Sequence, residues 1–227
     1  MRRNYWVVVA NVLVIGVLTG CSDSMLAPSA TPGAAPTSMM FAPAGRPSLS
    51  LSGGAEQNGT IEFTVDPSGG VFFVGDHALY FPARSICDPA SSSYGANSWD
   101  IACTPLDRPI TVTARVSTRN GVKAVDFTPE LRFVASSQPS QWVWLFMYTP
   151  EARDAFDLSE FSILYAQTPG ATLVDDAVED PTVRTYVDTW SGASFRRIKH
   201  FSGYAVASGR ACEEGSTEEG CVQTPTQ

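Results

Sequence analysis

The residue with the most definite chemistry is Cys21. It follows Leu18-Thr19-Gly20, an aliphatic residue and two small ones, which is the lipobox pattern in which the thiol is acylated and the chain is cut just before it. Arg2 and Arg3 supply a positive n-region, and the run from Trp6 to Leu18 is apolar apart from Asn11. That run is shorter than the roughly 20 residues a helix needs to cross a bilayer, and it ends in small residues, so cleavage is expected rather than permanent spanning. Residues 1–20 therefore read as a lipoprotein signal peptide, and Cys21 as the site of a fatty acyl chain such as palmitate. Ser22 stands where some bacteria place the Asp that retains a lipoprotein in the inner membrane. The expected address is a bacterial cell envelope, with the outer membrane favoured and the periplasmic or outward face left open.

With Cys21 assigned to lipid, four of the five cysteines remain, an even number in a compartment where disulfides persist. The sequence-local pairing is Cys87 with Cys103 and Cys212 with Cys221. Neither pair has the two-residue spacing of a zinc site or a redox motif, and only His77 and His200 supply imidazoles, so neither a metal nor another cofactor is expected. Trp142 and Trp144 share one face of a candidate strand, where they read as a sugar-stacking platform or as core, with core preferred. Asp175, Asp176, Glu179 and Asp180 crowd together but lack calcium-loop spacing, and read as a solvated acidic loop. There is no Gly-x-Ser-x-Gly elbow and no phosphate loop, which leaves a conventional hydrolase little to work with. The net charge of −8 becomes −10 once Arg2 and Arg3 are removed, and a phosphate backbone would be repelled, which excludes a nucleic-acid partner.

The elements that must carry these groups are short strands. Residues 21–58 are rich in Pro, Ala, Ser, Thr and Gly, too poor in apolar surface to offset their ordering entropy, and are expected to form a flexible stalk. Residues 209–227 hold Glu213, Glu214, Glu218 and Glu219 and read as an exposed acidic tail. Between them residues 59–208 are long enough for one core. Ile61, Phe63 and Val65 alternate with polar residues ahead of the turn cluster Asp66-Pro67-Ser68-Gly69-Gly70. Further strands are expected at 71–74, 78–81, 110–114, 122–127, 131–134, 142–148, 161–165, 182–187 and 195–207, with a hairpin at Asn120-Gly121 and a brief helix over 150–158. Many short strands without intervening long helices predict an all-β antiparallel sandwich.

The closing segment carries the most informative motif. His200-Phe201-Ser202-Gly203-Tyr204 resembles the His-Phe-Ser-aromatic ending of the ZU-five domain, the β-sandwich named from zonula occludens proteins and Unc-five netrin receptors. Gly69-Gly70, Leu79-Tyr80-Phe81-Pro82, Pro109-Ile110-Thr111-Val112 and Phe127-Thr128-Pro129-Glu130-Leu131 lie in the family's order, so the resemblance covers residues 66 to 208. The chain departs from the pattern at Pro82-Ala83-Arg84-Ser85 and in the insertion from Cys87 to Trp99. It also resembles bacterial lipoproteins that end in the same segment.

That resemblance implies self-cleavage between Phe201 and Ser202. Ser202 Oγ would attack the Phe201 carbonyl carbon in an N-to-O acyl shift, with His200 as the base that takes the hydroxyl proton and returns it to the departing amine. The Phe201 to Ser202 peptide would be held strained, and Gly203 would mark a bulge that imposes it. The same residues also read as nothing more than a buried final strand, with Phe201, Ala205 and Ala207 on one face and His200, Ser202, Tyr204 and Val206 on the other. Two functions stay open. The first is a lipid-anchored envelope module that binds an envelope or extracellular protein or glycan and is not catalytic toward other molecules. The alternative is a domain that processes itself.

Overall fold

The computed structural model describes residues 40–41, 47–48, 59–119, 122–166, 173–201 and 203–207. Its strands are β1 (Met40–Phe41), β2 (Pro47–Ser48), β3 (Gly59–Val65), β4 (Gly70–Val74), β5 (His77–Phe81), β6 (Ile110–Arg119), β7 (Val122–Thr128), β8 (Val143–Tyr148), β9 (Ser162–Ala166), β10 (Tyr186–Asp188), β11 (Ala193–Ile198) and β12 (Gly203–Ala207). The only helices among the described residues are short 3-10 turns, and none is long and apolar enough to cross a membrane.

Two five-stranded antiparallel sheets make the body. The first has the order β3-β6-β7-β12-β9 and the second β10-β11-β8-β5-β4. The expected all-β sandwich is therefore the observed fold. Period-two patterning aims alternate residues into the space between the sheets. Phe63, Val112, Val125 and Ile163 point in from the first sheet, and Phe72, Leu79, Phe81, Leu145 and Ile198 from the second, all in one buried cluster. The second sheet also carries an apolar outer face, where Val71, Ala78, Trp144, Phe146 and Phe195 form a separate buried cluster. This explains why β8 lacks polar alternation, and why β11 buries Ser194, Arg196 and Arg197 along with its apolar residues: both faces of each strand are covered.

Local chemistry sets the turns. Gly69 adopts φ 74°, and a Cβ there would lie 2.1 Å from the Phe81 carbonyl oxygen, so only glycine lets the Asp66 to Gly70 turn close against β5. Arg119 pairs with Val122, which leaves two residues between β6 and β7; these, Asn120 and Gly121, lie outside the described residues.

Several expected boundaries are corrected. Within the expected stalk, β1 and β2 pair antiparallel. Residues 131–134 form no named strand; Arg132 and Phe133 make single bridges to His200 and Ile86. Pro181–Val183 is a 3-10 turn capped by Asp180, because proline has no amide hydrogen for a ladder, and the strand begins only at Tyr186. The expected helix over 150–158 shrinks to 3-10 turns at Pro150–Arg153 and Leu158–Glu160. Most consequential, the expected strand 195–207 is two strands in different sheets: β11 ends at Ile198 in the second, β12 begins at Gly203 in the first. His200 and Phe201 lie on neither strand. They occupy the crossover between the sheets.

Candidate functional site

The crossover is clamped by its backbone. The Phe133 N–H donates to the Lys199 carbonyl (2.9 Å), the Phe201 N–H donates to the Leu131 carbonyl (2.7 Å), and Arg132 bridges His200. The Phe201 ring is fully buried, stacked on Phe127 at 4.5 Å and edge-on to Phe133 at 5.1 Å and Phe81 at 5.9 Å. A ring wedged among three others in a close-packed interior fixes its own backbone as well.

Aromatic side chains cover the His200 imidazole. Trp99 stacks on it at 4.0 Å with 20° between the planes, while Tyr165 at 5.0 Å and Tyr94 at 6.0 Å meet it edge-on. The Tyr204 hydroxyl donates to the His200 carbonyl at 2.9 Å. Burial pushes the imidazole pKa down to about 4; a hydrogen bond to the Phe201 backbone opposes the shift, and the positive charges of Arg196 and Lys199 add to it. A bond that favours the protonated ring is one in which the ring N–H donates, so its acceptor is the Phe201 carbonyl oxygen. At neutral pH the imidazole is uncharged, with one N–H donated to that oxygen.

The same carbonyl oxygen accepts a hydrogen bond from the Tyr94 hydroxyl. Burial, then the neighbouring Glu130 and Tyr165, raise the Tyr94 pKa above the ordinary phenol value, which keeps the hydroxyl protonated and donating. Two donors thus converge on one buried backbone oxygen, an arrangement suited to holding negative charge there if the carbonyl carbon were attacked.

Tyr94 and Trp99 arrive on a loop closed by the Cys87–Cys103 disulfide, whose Cα atoms are 5.6 Å apart. The pairing expected from sequence is the one found. Backbone bonds from Asp88 N–H to Thr104 (2.8 Å) and from Cys87 N–H to Arg132 (2.9 Å) set the base of the loop on the core. A 3-10 turn at Ala96–Ser98 carries the chain over the crossover, where the Arg132 guanidinium donates to the Ser98 and Ile101 carbonyls, the latter at 3.1 Å. The Lys199 ammonium reaches both Asp100 oxygens at 2.6 and 2.7 Å. Tyr94 and Trp99 meet edge-on at 4.8 Å. The sequence marks this loop as a departure from a family pattern and as the span of an expected disulfide, without assigning Tyr94 or Trp99 a role. The signal available was two large aromatic residues between two cysteines.

Gly203 is not at a bulge. It pairs in register with Asp126 on one side and Ala166 on the other, and its lack of a side chain is needed because a Cβ would come within 2.6 Å of Asp126 Oδ1. Ser202, the expected nucleophile, lies outside the described residues, as do Cys21, Cys212 and Cys221.

The other candidates resolve into structural roles. Trp144 is buried on the outer face of the second sheet and donates its indole N–H to the Pro139 carbonyl at 3.2 Å, with Trp142 5.7 Å away beneath the Arg197 guanidinium. Core, not an open platform, is what this pair forms. In the acidic cluster, Asp176 pairs with Arg196 at 2.6 Å and Asp180 with Lys199 at 2.5 Å; burial raises the Asp176 pKa against the pull of Arg196. His77 sits by Tyr148 at the far end of β8 from His200, accepting the Tyr148 N–H at Nδ1 (3.2 Å), with Asp76 3.3 Å from Nε2. The crossover thus brings together His200, Phe201, Tyr94 and Trp99, and leaves the other histidine out. Compared with protein-family models, curated proteins and solved structures, the chain matches none.

Proposed function

We propose that this protein is a bacterial envelope lipoprotein, tethered through Cys21, whose sandwich acts on one peptide bond of its own, that between Phe201 and Ser202. The observation that carries the reading is the Phe201 carbonyl oxygen, which faces donors from both Tyr94 and His200. Attack by Ser202 Oγ forms a C–O bond at the Phe201 carbonyl carbon, and collapse breaks the C–N bond. The hydroxyl proton passes by way of the His200 lone pair to the departing amine. Water then hydrolyses the ester, leaving a Phe201 carboxylate and a free amine on Ser202. The resemblance of His200-Phe201-Ser202 to the ZU-five ending supports the same chemistry. Mass spectrometry of the purified chain tests it: under denaturing conditions a piece spanning residues 202–227 is expected, while under native conditions the two pieces stay together.

A second reading has its own observation. Phe201 is buried among Phe81, Phe127 and Phe133, which gives the motif a packing role without any reaction. On that reading the protein is a non-catalytic interaction or structural module that holds an envelope or extracellular protein or glycan. A folded chain that stays whole through prolonged incubation at neutral pH would decide for it, and crosslinking in intact cells would then identify the partner.

A further inference from the structure

Resting on the self-cleavage reading, we propose that Tyr94 is a catalytic residue of that reaction and that the Cys87–Cys103 disulfide is its switch, so that the chain is cut only once it has reached an oxidising compartment.

The geometry separates the parts of the site by origin. His200 and the carbonyl under attack belong to the crossover and are fixed by the core through the Phe201 ring and the bonds to Leu131 and Phe133. Tyr94 belongs to the loop, which is joined to the core at its two ends and held over the crossover by Arg132 and Lys199. Between Cys87 and Cys103 it contains no β-strand and a single 3-10 turn, so its own backbone does little to hold the phenol in place. Tyr94 lies near the middle of a segment whose ends are 16 residues apart in sequence. With the bond closed, those ends are held together and the unfolded alternatives of the loop are curtailed. With the bond open, Tyr94 must be kept on the Phe201 oxygen by the backbone bonds at the base of the loop and the contacts with Trp99, Arg132 and Lys199, without the covalent tie between its ends.

An N-to-O shift puts a full negative charge on the Phe201 oxygen in its tetrahedral intermediate. A preorganised donor to that oxygen is worth roughly 10²–10³ in rate. In a buried site the phenol stays protonated, donates throughout, and takes no part in the proton transfer between Ser202 and its own amine. Atoms therefore balance without Tyr94 changing state. Its contribution is purely to the charge on oxygen, and that contribution is present only while the loop is docked. A reducing cytosol would thus hold the precursor whole, and export, by allowing Cys87 and Cys103 to be oxidised to the disulfide, would release the reaction.

The test refolds the full-length chain in detergent from a reduced, denatured state, either with oxidised glutathione or with dithiothreitol, and follows the appearance of the 202–227 piece by denaturing mass spectrometry. The wild-type chain is expected to cleave in the oxidised buffer and to lag by at least tenfold in the reduced one. Tyr94→Phe, which keeps the ring against Trp99 and removes only the hydroxyl, is expected to slow cleavage by about 10²–10³-fold in oxidised buffer while leaving the thermal midpoint close to wild type. The Cys87→Ser, Cys103→Ser pair is expected to reproduce the reduced-buffer rate in either buffer. In the Tyr94→Phe background the same cysteine changes should have little further effect, because both act through one hydroxyl. Equal wild-type rates in the two buffers would overturn the switch, and a Tyr94→Phe rate within threefold of wild type would overturn the catalytic role. Either result, obtained on a chain that cleaves, leaves self-cleavage standing; a wild-type chain that never cleaves in oxidised buffer overturns that reading instead.

Discussion

Acid should loosen this fold through His200 in particular, and by an amount the site itself sets. In the folded chain burial holds the imidazole pKa at about 4, against an ordinary value of 6.5. Between those values the unfolded chain carries a proton at this position and the folded chain does not. Stability therefore rises with pH across the window and is lost as the pH falls from about 6.5 toward 4. A shift of that size corresponds to about 3 kcal/mol, a large share of the 5–15 kcal/mol that typically separates folded from unfolded domains. The perturbation is His200→Gln, which removes the titration and keeps a side chain able to hydrogen-bond. Both chains would carry Ser202→Ala so that each stays whole during measurement. Urea unfolding followed by tryptophan fluorescence at pH 7, 5.5 and 4 gives the two stability curves. Carboxylates elsewhere contribute equally to both and cancel in the difference. The wild-type chain is expected to lose about 3 kcal/mol more than the variant between pH 7 and pH 4. Parallel curves would refute the claim that the ring is buried uncharged beneath Trp99.

Three further outcomes are expected. Phe201→Ala, which empties a site packed by Phe81, Phe127 and Phe133, should cost about 3–5 kcal/mol in the same unfolding assay. Asp176→Ala leaves the Arg196 guanidinium, itself 1 % exposed, with only the neutral carbonyls of Ile163 and Arg197 as acceptors among the described residues; because the carboxylate is partly solvated, a loss of about 2 kcal/mol is expected rather than the full cost of breaking a buried pair. Cys21→Ala should yield precursor that takes up no fatty-acid analogue, and label that persists in the variant would remove the lipid assignment.

Strand content was legible in this sequence because period-two patterning is a local property. Ile61 to Val65 alternates cleanly, and the residues on its apolar face are those that meet the facing sheet. β8 was legible for a different reason, as a continuous apolar run, although such a run does not reveal that the outer face is also buried. What could not be read was the break after Ile198. Nothing local in Lys199, His200 and Phe201 says that the chain changes sheets there. The change is imposed from a distance, by Leu131 to Phe133 taking the hydrogen bonds that a strand partner would have taken. Tyr94 and Trp99 were illegible for the same reason. Their partner lies about a hundred residues further along the chain, and only the cysteine pairing hinted that the loop between them was built to stay put.

The position of the crossover bears on why a cut there would be tolerated. On one side, β11 is held between β8 and β10 in the second sheet. On the other, β12 is an interior strand of the first sheet, paired with β7 over Gly203 to Val206 and with β9 over Gly203 to Ala207. Each ladder satisfies the main chain on its own side of residue 202, and neither needs the connection between them to remain hydrogen-bonded. Most crossovers in a sandwich bear only on folding; this one also places a backbone carbonyl where a phenol and an imidazole both donate to it. Breaking the bond removes a link between sheets that share one core, with Phe201 anchored on one side of the break and Tyr204 on the other. Before folding, the same bond joins two segments with no reason to be near each other, and no donors converge on it. On the self-cleavage reading, the fold that brings the donors to this oxygen would also hold the two pieces together after the cut.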